Sequence, residues 1–278
     1  MAHRAFFASE GYFEQDVARR KKSVAEFEAS VREAEENNGD TALYLYPLFI
    51  RRYKLAVSLY SAGGNLDEVK QLFAECLKAL CAYQQSPGFQ PLDLNDLEQY
   101  TYAVEILALG LLFDVPREWF EAVVKVVEAA PAGKTPPRDF VLDFLISCWD
   151  AGREPVETLL HPEPYEALKD VCQVENDDDR LLAVLRFLDR YREGTESLPW
   201  SQSHMDNDGQ YFGFWSFALA AVVHELGFSD EAFAMNMLYP GDLAGHRDPD
   251  LGVQVEPPEI TPPEIAKPSM ELGVSLED

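Results

Sequence analysis

Apolar residues recur at three- and four-residue spacing along almost the whole chain, and the strict alternation typical of β-strands is almost absent. This spacing predicts a long, highly charged first helix over about 9–37 and an aromatic-rich second helix that ends at Gly63-Gly64. The third helix is predicted to begin at Asn65 and the fourth at Asn95, because each Asn is followed three residues later by Glu, as in a capping box. The pattern indicates an all-α fold.

A proline-rich segment interrupts the helical pattern near the middle of the chain. The fourth helix is predicted to run to about Phe113, and Pro116 begins a short fifth helix, because the first turn of a helix tolerates proline. Residues 131–137 contain three prolines and a glycine, which disfavour both helix and strand. We therefore expect an N-terminal helical domain over 1–130.

The second half of the chain again shows helical spacing. The predicted helices span about 137–150, 162–173, 177–193 and 210–226. Gly227 should end the last of these as a left-handed cap, and Ser229 should cap one more short helix. These elements define a C-terminal helical domain over 137–246.

The pattern changes character from Arg247 onward, where six prolines stand among acidic residues with few large apolar ones. We predict an extended or disordered tail over 247–278. The fold expected from the whole pattern is a helical bundle of two packed helical subdomains with an extended Pro-rich C-terminal tail. No period of 30–45 residues repeats clearly enough to favour a helical solenoid.

The formal net charge is −26 at neutral pH, and it is uneven. Residues 1–130 carry 13 Lys/Arg against 20 Asp/Glu, whereas residues 131–278 carry 10 against 29. Such a field repels phosphate backbones and anionic membranes, so direct nucleic-acid or membrane binding is not expected. It attracts a basic partner; the alternative is that the acidity only keeps the protein soluble.

The four cysteines show no spacing typical of zinc sites, and we expect a reduced set of small buried side chains. Residues 1–10 lack the apolar core of a signal peptide, and no stretch approaches the roughly 18 apolar residues of a membrane span. These observations predict a cytoplasmic protein.

No motif in the chain indicates a catalytic centre. His224-Glu225 is not completed to H-E-x-x-H, because position 228 is Phe. Residues 204–215 resemble a calcium loop but lack its acidic first ligand and its final Glu. The Gly-Lys-Thr within 131–135 lacks the first glycine of a phosphate-binding loop. We therefore predict a non-enzyme with no catalytic residues, no metal and no cofactor.

The most distinctive segment is Tyr211-Phe-Gly-Phe-Trp-Ser-Phe-Ala-Leu-Ala-Ala-Val-Val-His-Glu-Leu-Gly227. Together with Ser229-Asp-Glu231 and Tyr239-Pro-Gly-Asp-Leu243, it resembles the signature region of PoNi-type immunity proteins. The segment Leu59-Tyr-Ser-Ala-Gly63 is similar to a helix connection in the N-terminal domain of that family. Ala218 departs from the pattern, since the family often has Glu there, and the Trp-Tyr-x-x-His lead-in is reduced to Pro199-Trp-Ser-Gln-Ser-His204.

The resemblance implies a cytoplasmic antidote to a polymorphic nuclease toxin delivered by a bacterial secretion system, often type VI. If the departing positions contact the toxin, this chain serves a different toxin from the commonest members.

Helical spacing gives the signature segment a mainly structural interpretation, as a central core helix in which Gly213 lets another helix approach closely. Direct contact of its aromatic side chains with the toxin is the alternative. The predicted apolar stripe consists of Tyr211, Phe214, Trp215, Ala218, Leu219, Val222 and Leu226.

Charge and resemblance together predict an immunity protein that binds a basic nuclease toxin through an acidic surface. The alternative is a general TPR-like helical adaptor that binds a peptide or protein; the oligomeric state stays open. Asp177–Asp179 also suit the positive end of a helix dipole, so a purely stabilising role is open for them. The candidate partner-binding residues are Glu175, Asp177, Asp178, Asp179, Asp206, Asp208, Asp230 and Glu231.

Overall fold

The computed structural model describes residues 4–5, 11–201 and 210–245, and within these ranges it contains nine α-helices and no strand. The predicted all-α fold is confirmed. The predicted tail over 247–278 lies outside the described residues. The helices are α1 (Tyr12–Glu36), α2 (Ala42–Ser61), α3 (Leu66–Gln85), α4 (Leu97–Leu112), α5 (Arg117–Val127), α6 (Phe140–Ser147), α7 (Pro162–Gln173), α8 (Asp177–Gly194) and α9 (Phe217–Leu226).

Side-chain caps fix several helix starts. Asn65 caps α3 as predicted, and its side chain accepts a hydrogen bond from the backbone N–H of Asp67 at 2.7 Å. The cap of α4 is Asp96 rather than the predicted Asn95, because the Asp96 carboxylate accepts from the N–H of Gln99 at 3.0 Å. Pro116 stands at the cap position of α5, one residue before its first helical turn.

Helix α4 forms the centre of the molecule. Its residues 100–112 are all buried, so this helix contacts protein on every side. Helix α4 packs against α5, α6 and α9, while α1, α2 and α3 pack as neighbours in chain order and α7 pairs with α8. The segment 131–137 forms the loop between α5 and α6, and the domain division placed there stays a prediction.

The predicted helix over 210–226 is wrong in its first half, because α9 begins only at Phe217. Residues 211–216 are not helical, and Gly213 has φ +129°, a conformation that L side chains rarely adopt. The helical stripe that was predicted to begin at Tyr211 therefore does not exist as one face. The left-handed cap at Gly227 is confirmed, with φ +66°.

The predicted short helix after Ser229 is also wrong, since residues 231–235 form turns. The carbonyl oxygen of Asp230 accepts hydrogen bonds from the N–H groups of Phe233 and Ala234, and these bonds form the turn.

All four cysteines are free, two of them buried and two half-buried, and burial raises the pKa of the Cys81 thiol to about 11. None of the described helices has the length and apolar character required to cross a bilayer.

Candidate functional site

The two motif segments, 59–63 and 211–227, meet at Ser61, the last residue of α2. The Ser61 hydroxyl donates a hydrogen bond to the carbonyl oxygen of Phe212 at 2.6 Å and accepts one from Nε1 of Trp215 at 2.8 Å. The ring of Tyr60 lies edge-on to Trp215, with 5.1 Å between ring centroids. All four residues are buried, so the motifs form part of the packed interior.

A buried ion pair in α1 also bonds to the non-helical segment 210–216. Arg20 donates to Asp16 at 2.6 Å, and Asp16 also accepts from the hydroxyl of Ser58 at 2.6 Å. The same guanidinium reaches the carbonyl oxygen of Tyr211 at 3.3 Å. Buried charges require such partners, because an unpaired charge in the interior is costly. The backbone carbonyls of residues 210–212 thus bond to side chains of α1 and α2 instead of forming helix.

Glu105 in α4 is 2% exposed and lies at the start of α9. Its carboxylate accepts a hydrogen bond from the N–H of Phe217 at 3.0 Å. Burial raises the pKa of Glu105 to about 8, and the hydrogen bonds from Phe217, Tyr191 and Ala218 oppose part of that rise. The side chain caps a helix that lies more than 100 residues further along the chain.

The last part of the signature region, residues 239–243, contacts the N-terminal half through Asp242. Its carboxylate accepts hydrogen bonds from the hydroxyl of Tyr60 and from Nε of Arg4, the latter at 2.7 Å. The Tyr239 hydroxyl donates to the carboxylate of Asp230 at 3.1 Å, and Asp230 is only 4% exposed. Asp230, a candidate for the acidic surface, therefore lies in the packed interior, and its part in partner binding stays a prediction.

Four of the candidate acids, all of them exposed, lie at the start of α8: Asp177, Asp178 and Asp179 in its first turn, and Glu175 just before the cap residue. Asn176 caps this helix by accepting from the N–H of Asp179 at 2.8 Å. The acids stand where the positive end of the helix dipole stabilises them, so their position suits a structural role and leaves them accessible to a partner.

A cation–π contact joins this turn to the loop after α9. The guanidinium of Arg180 lies 5.2 Å from the ring centroid of Phe228, three residues before Glu231. Glu231 is exposed, and its N–H donates to the hydroxyl of Ser229 at 3.4 Å. Asp206 and Asp208 lie outside the described residues.

Two family models match the chain. The model for the N-terminal domain of the PoNe immunity protein (PoNi) matches residues 4–125, and the model for the PoNi C-terminal domain matches residues 137–243. The chain belongs to the PoNi family. Proteins of this family are immunity proteins against PoNe nucleases, which makes them inhibitors rather than enzymes.

A solved structure shares the fold of this PoNi protein. The protein PA2201 from Pseudomonas aeruginosa superposes with a TM-score of 0.69 at 20% sequence identity, covering 87% of this chain and 89% of that one. At this identity the likeness concerns the fold alone. No curated protein matches the sequence.

The interior of this PoNi protein contains ionisable residues that the sequence patterns did not single out, and these are Asp16, Arg20, Glu105, Asp139 and Asp143. Glu105 follows Ala103-Val104 and precedes Ile106-Leu107, and a lone charge inside such an apolar helix is a recognisable signal for a buried, partnered carboxylate. Within the described part of the chain, no group of three or more His, Cys, Asp or Glu side chains has the arrangement of a metal site.

Proposed function

We propose that this PoNi protein binds one cognate nuclease toxin in the cytoplasm and neutralises it, and that the toxin is delivered by a secretion system such as type VI. The observation that carries the proposal is the match of both PoNi family models, which together span residues 4–125 and 137–243. The exposed acidic residues at the start of α8 supply a second, physical argument.

The proposed mechanism follows from the charge that a nuclease needs. An enzyme that cleaves nucleic acid holds a polyanionic backbone with Lys and Arg, so its substrate groove is basic. An acidic face of the immunity protein fits over such a groove and raises the rate of encounter by electrostatic steering. With Asp230 buried, the proposed face consists of Glu175, Asp177, Asp178 and Asp179, with Asp206, Asp208 and Glu231 as further candidates.

Co-expression tests the proposal directly. A PoNe-type nuclease domain from the genome that encodes this chain is expressed in bacteria with and without this chain, and survival and chromosome integrity are measured. We expect growth only when the chain is present, and no protection by an unrelated acidic helical protein. If cells die equally with and without the chain, the proposed immunity function is wrong and the result favours the helical-adaptor alternative.

A further inference from the structure

Two large apolar side chains of α8 face solvent. Leu182 is 59% exposed and Leu185 is 40% exposed, although five residues of the same helix are buried. In the described part of the chain, α8 alone carries two such exposed apolar side chains on one helix. The buried residues of α8 are Ala183, Val184, Phe187, Leu188 and Tyr191.

The spacing along α8 places an acid at each end of this apolar pair. Asp178, Leu182, Leu185 and Asp189 follow one another at intervals of four, three and four residues, so they form one stripe along the helix. The stripe extends over about 16 Å at 1.5 Å per residue and lies opposite the buried face. All four residues are exposed. We call this set the α8 ridge.

The four arginines of α8 contact groups other than the acids of the ridge. Arg186 pairs with Asp170 at 2.9 Å and Arg190 with Glu163 at 3.5 Å, and both acids lie on α7. Arg180 pairs with Asp177 at 3.0 Å, and the guanidinium of Arg192 lies 5.6 Å from the ring centroid of Phe214. Within residues 4–5, 11–201 and 210–245, neither Asp178 nor Asp189 has a cationic side chain within 4 Å. The ridge therefore presents an apolar centre between two acids that form no ion pair with a described residue.

We propose that the α8 ridge docks the nuclease toxin, through an apolar patch of the toxin that is bordered by Lys or Arg. The inference rests on the proposed function and names the surface that performs it. An apolar centre with a charged rim is the arrangement of energetically important protein contacts, where the centre supplies affinity and the rim supplies orientation and encounter rate. The occupant is basic, because acids stand at both ends of the stripe.

A second copy of this chain does not fit the ridge as well. A symmetric contact between two ridges brings Asp178 and Asp189 of one molecule against acids of the other, and each molecule carries a net charge of −26. Charge complementarity thus favours a basic partner over self-association.

The test measures binding of the purified nuclease domain to the full-length chain and to the variants Leu182→Ala, Leu185→Ala and the double variant. Leu43→Ala is the matched control, because Leu43 is 68% exposed on α2. We expect the double variant to raise Kd by at least about tenfold, mainly through faster dissociation, as truncation of central interface residues does. Leu43→Ala should leave Kd within about twofold. Equal melting temperatures verify that the variants fold.

The acids at the two ends of the α8 ridge are tested by the rate of association. Asp178→Asn with Asp189→Asn should slow association at low salt and leave the rate less sensitive to added salt. The control pair Asp67→Asn with Glu68→Gln, two exposed acids in the first turn of α3, should change association much less.

Three outcomes overturn the inference, each in a distinguishable way. If the wild-type chain fails to bind the nuclease domain, the proposed function falls and the ridge proposal falls with it. If the wild type binds and the double leucine variant matches Leu43→Ala, the function stands and the docking surface is wrong. If the leucine variants abolish only a dimer of this chain and leave toxin binding intact, the ridge is a self-association surface.

Discussion

The carboxylate of Glu105 in α4 accepts a hydrogen bond from the backbone N–H of Phe217, the first residue of α9, at 3.0 Å. A side chain from one half of the chain thereby caps a helix in the other half, beside the local cap Ser216, whose hydroxyl accepts from the N–H of Leu219 at 3.2 Å. This contact ties the start of α9 to the central helix.

Glu105 gives the protein a predictable dependence of stability on pH. Burial raises the pKa of this carboxyl to about 8 in the folded protein, against an ordinary value of 4.5. Between these two values the folded protein retains a proton that the unfolded chain has lost. Raising the pH across this window therefore lowers the free energy of unfolding, by at most about 1.4 kcal/mol per pH unit for this one group.

The variant Glu105→Gln isolates that contribution, because glutamine keeps the size and the acceptor oxygen and does not titrate. We expect the wild type to lose stability relative to Glu105→Gln as the pH rises from about 5 to about 8, measured by urea denaturation at each pH. Glu68→Gln, at an exposed position in α3, serves as the control. Parallel pH profiles for wild type and Glu105→Gln would show that Glu105 has no raised pKa.

Gly213 should tolerate no side chain. Its φ of +129° is strained for any L residue, and a Cβ there would stand 2.5 Å from Nε1 of Trp215 and 2.6 Å from Oγ of Ser61. We expect Gly213→Ala to destabilise the protein by more than about 3 kcal/mol, because steric conflict adds to backbone strain of about 1–3 kcal/mol. The matched control is Gly133→Ala, where φ is +78° and no atom lies within 4 Å of the added Cβ, so strain acts alone. Equal losses of stability for the two variants would contradict the close approach of the Trp215 and Ser61 side chains to Gly213.

The helices α1 to α8 follow closely from local sequence, because the spacing of apolar residues and the capping side chains act within a few residues of each other. The start of α9 does not. Residues 211–216 have the apolar character of a helix, but the backbone carbonyls of Tyr211 and Phe212 bond to Arg20 and Ser61, which are more than 140 residues away in sequence.

At the candidate surface, too, some features follow from local sequence and others depend on contacts between distant residues. The acids at the start of α8 could be predicted, because a run of three Asp after an Asn cap stays at a helix end and in solvent. The burial of Asp230 could not, since it depends on the hydroxyl of Tyr239 meeting its carboxylate in the folded chain. Leu182 and Leu185 also follow the helical period, but only the structure shows that they stay exposed beside the other described elements.

The acids Asp177, Asp178 and Asp179 allow a steering role to be separated from a stabilising one. Replacing all three with Asn removes the charge and retains most of the shape. If they steer the toxin, the triple variant associates more slowly at low salt and loses salt dependence, as measured by stopped-flow mixing with the nuclease domain. If they serve only the helix dipole, stability falls by about 0.3–1 kcal/mol per charge and association is unchanged.

The control for this experiment lies in α3, which also begins after an Asn cap and carries Asp67 and Glu68 in its first turn. Their neutralisation should lower stability by a similar amount per charge and leave association with the toxin close to that of the wild type. Equal slowing by the two sets would mean that net charge, and no particular face, sets the encounter rate.

Titration of nuclease activity measures whether this protein inhibits a nuclease by stoichiometric binding. The purified nuclease domain of the proposed cognate toxin is mixed with increasing amounts of this PoNi protein, and cleavage of DNA and of RNA is followed at physiological salt. If binding is tight and stoichiometric, cleavage falls linearly and ends near one molecule of this protein per nuclease. Undiminished cleavage at a large molar excess of the folded protein would contradict the proposed inhibition.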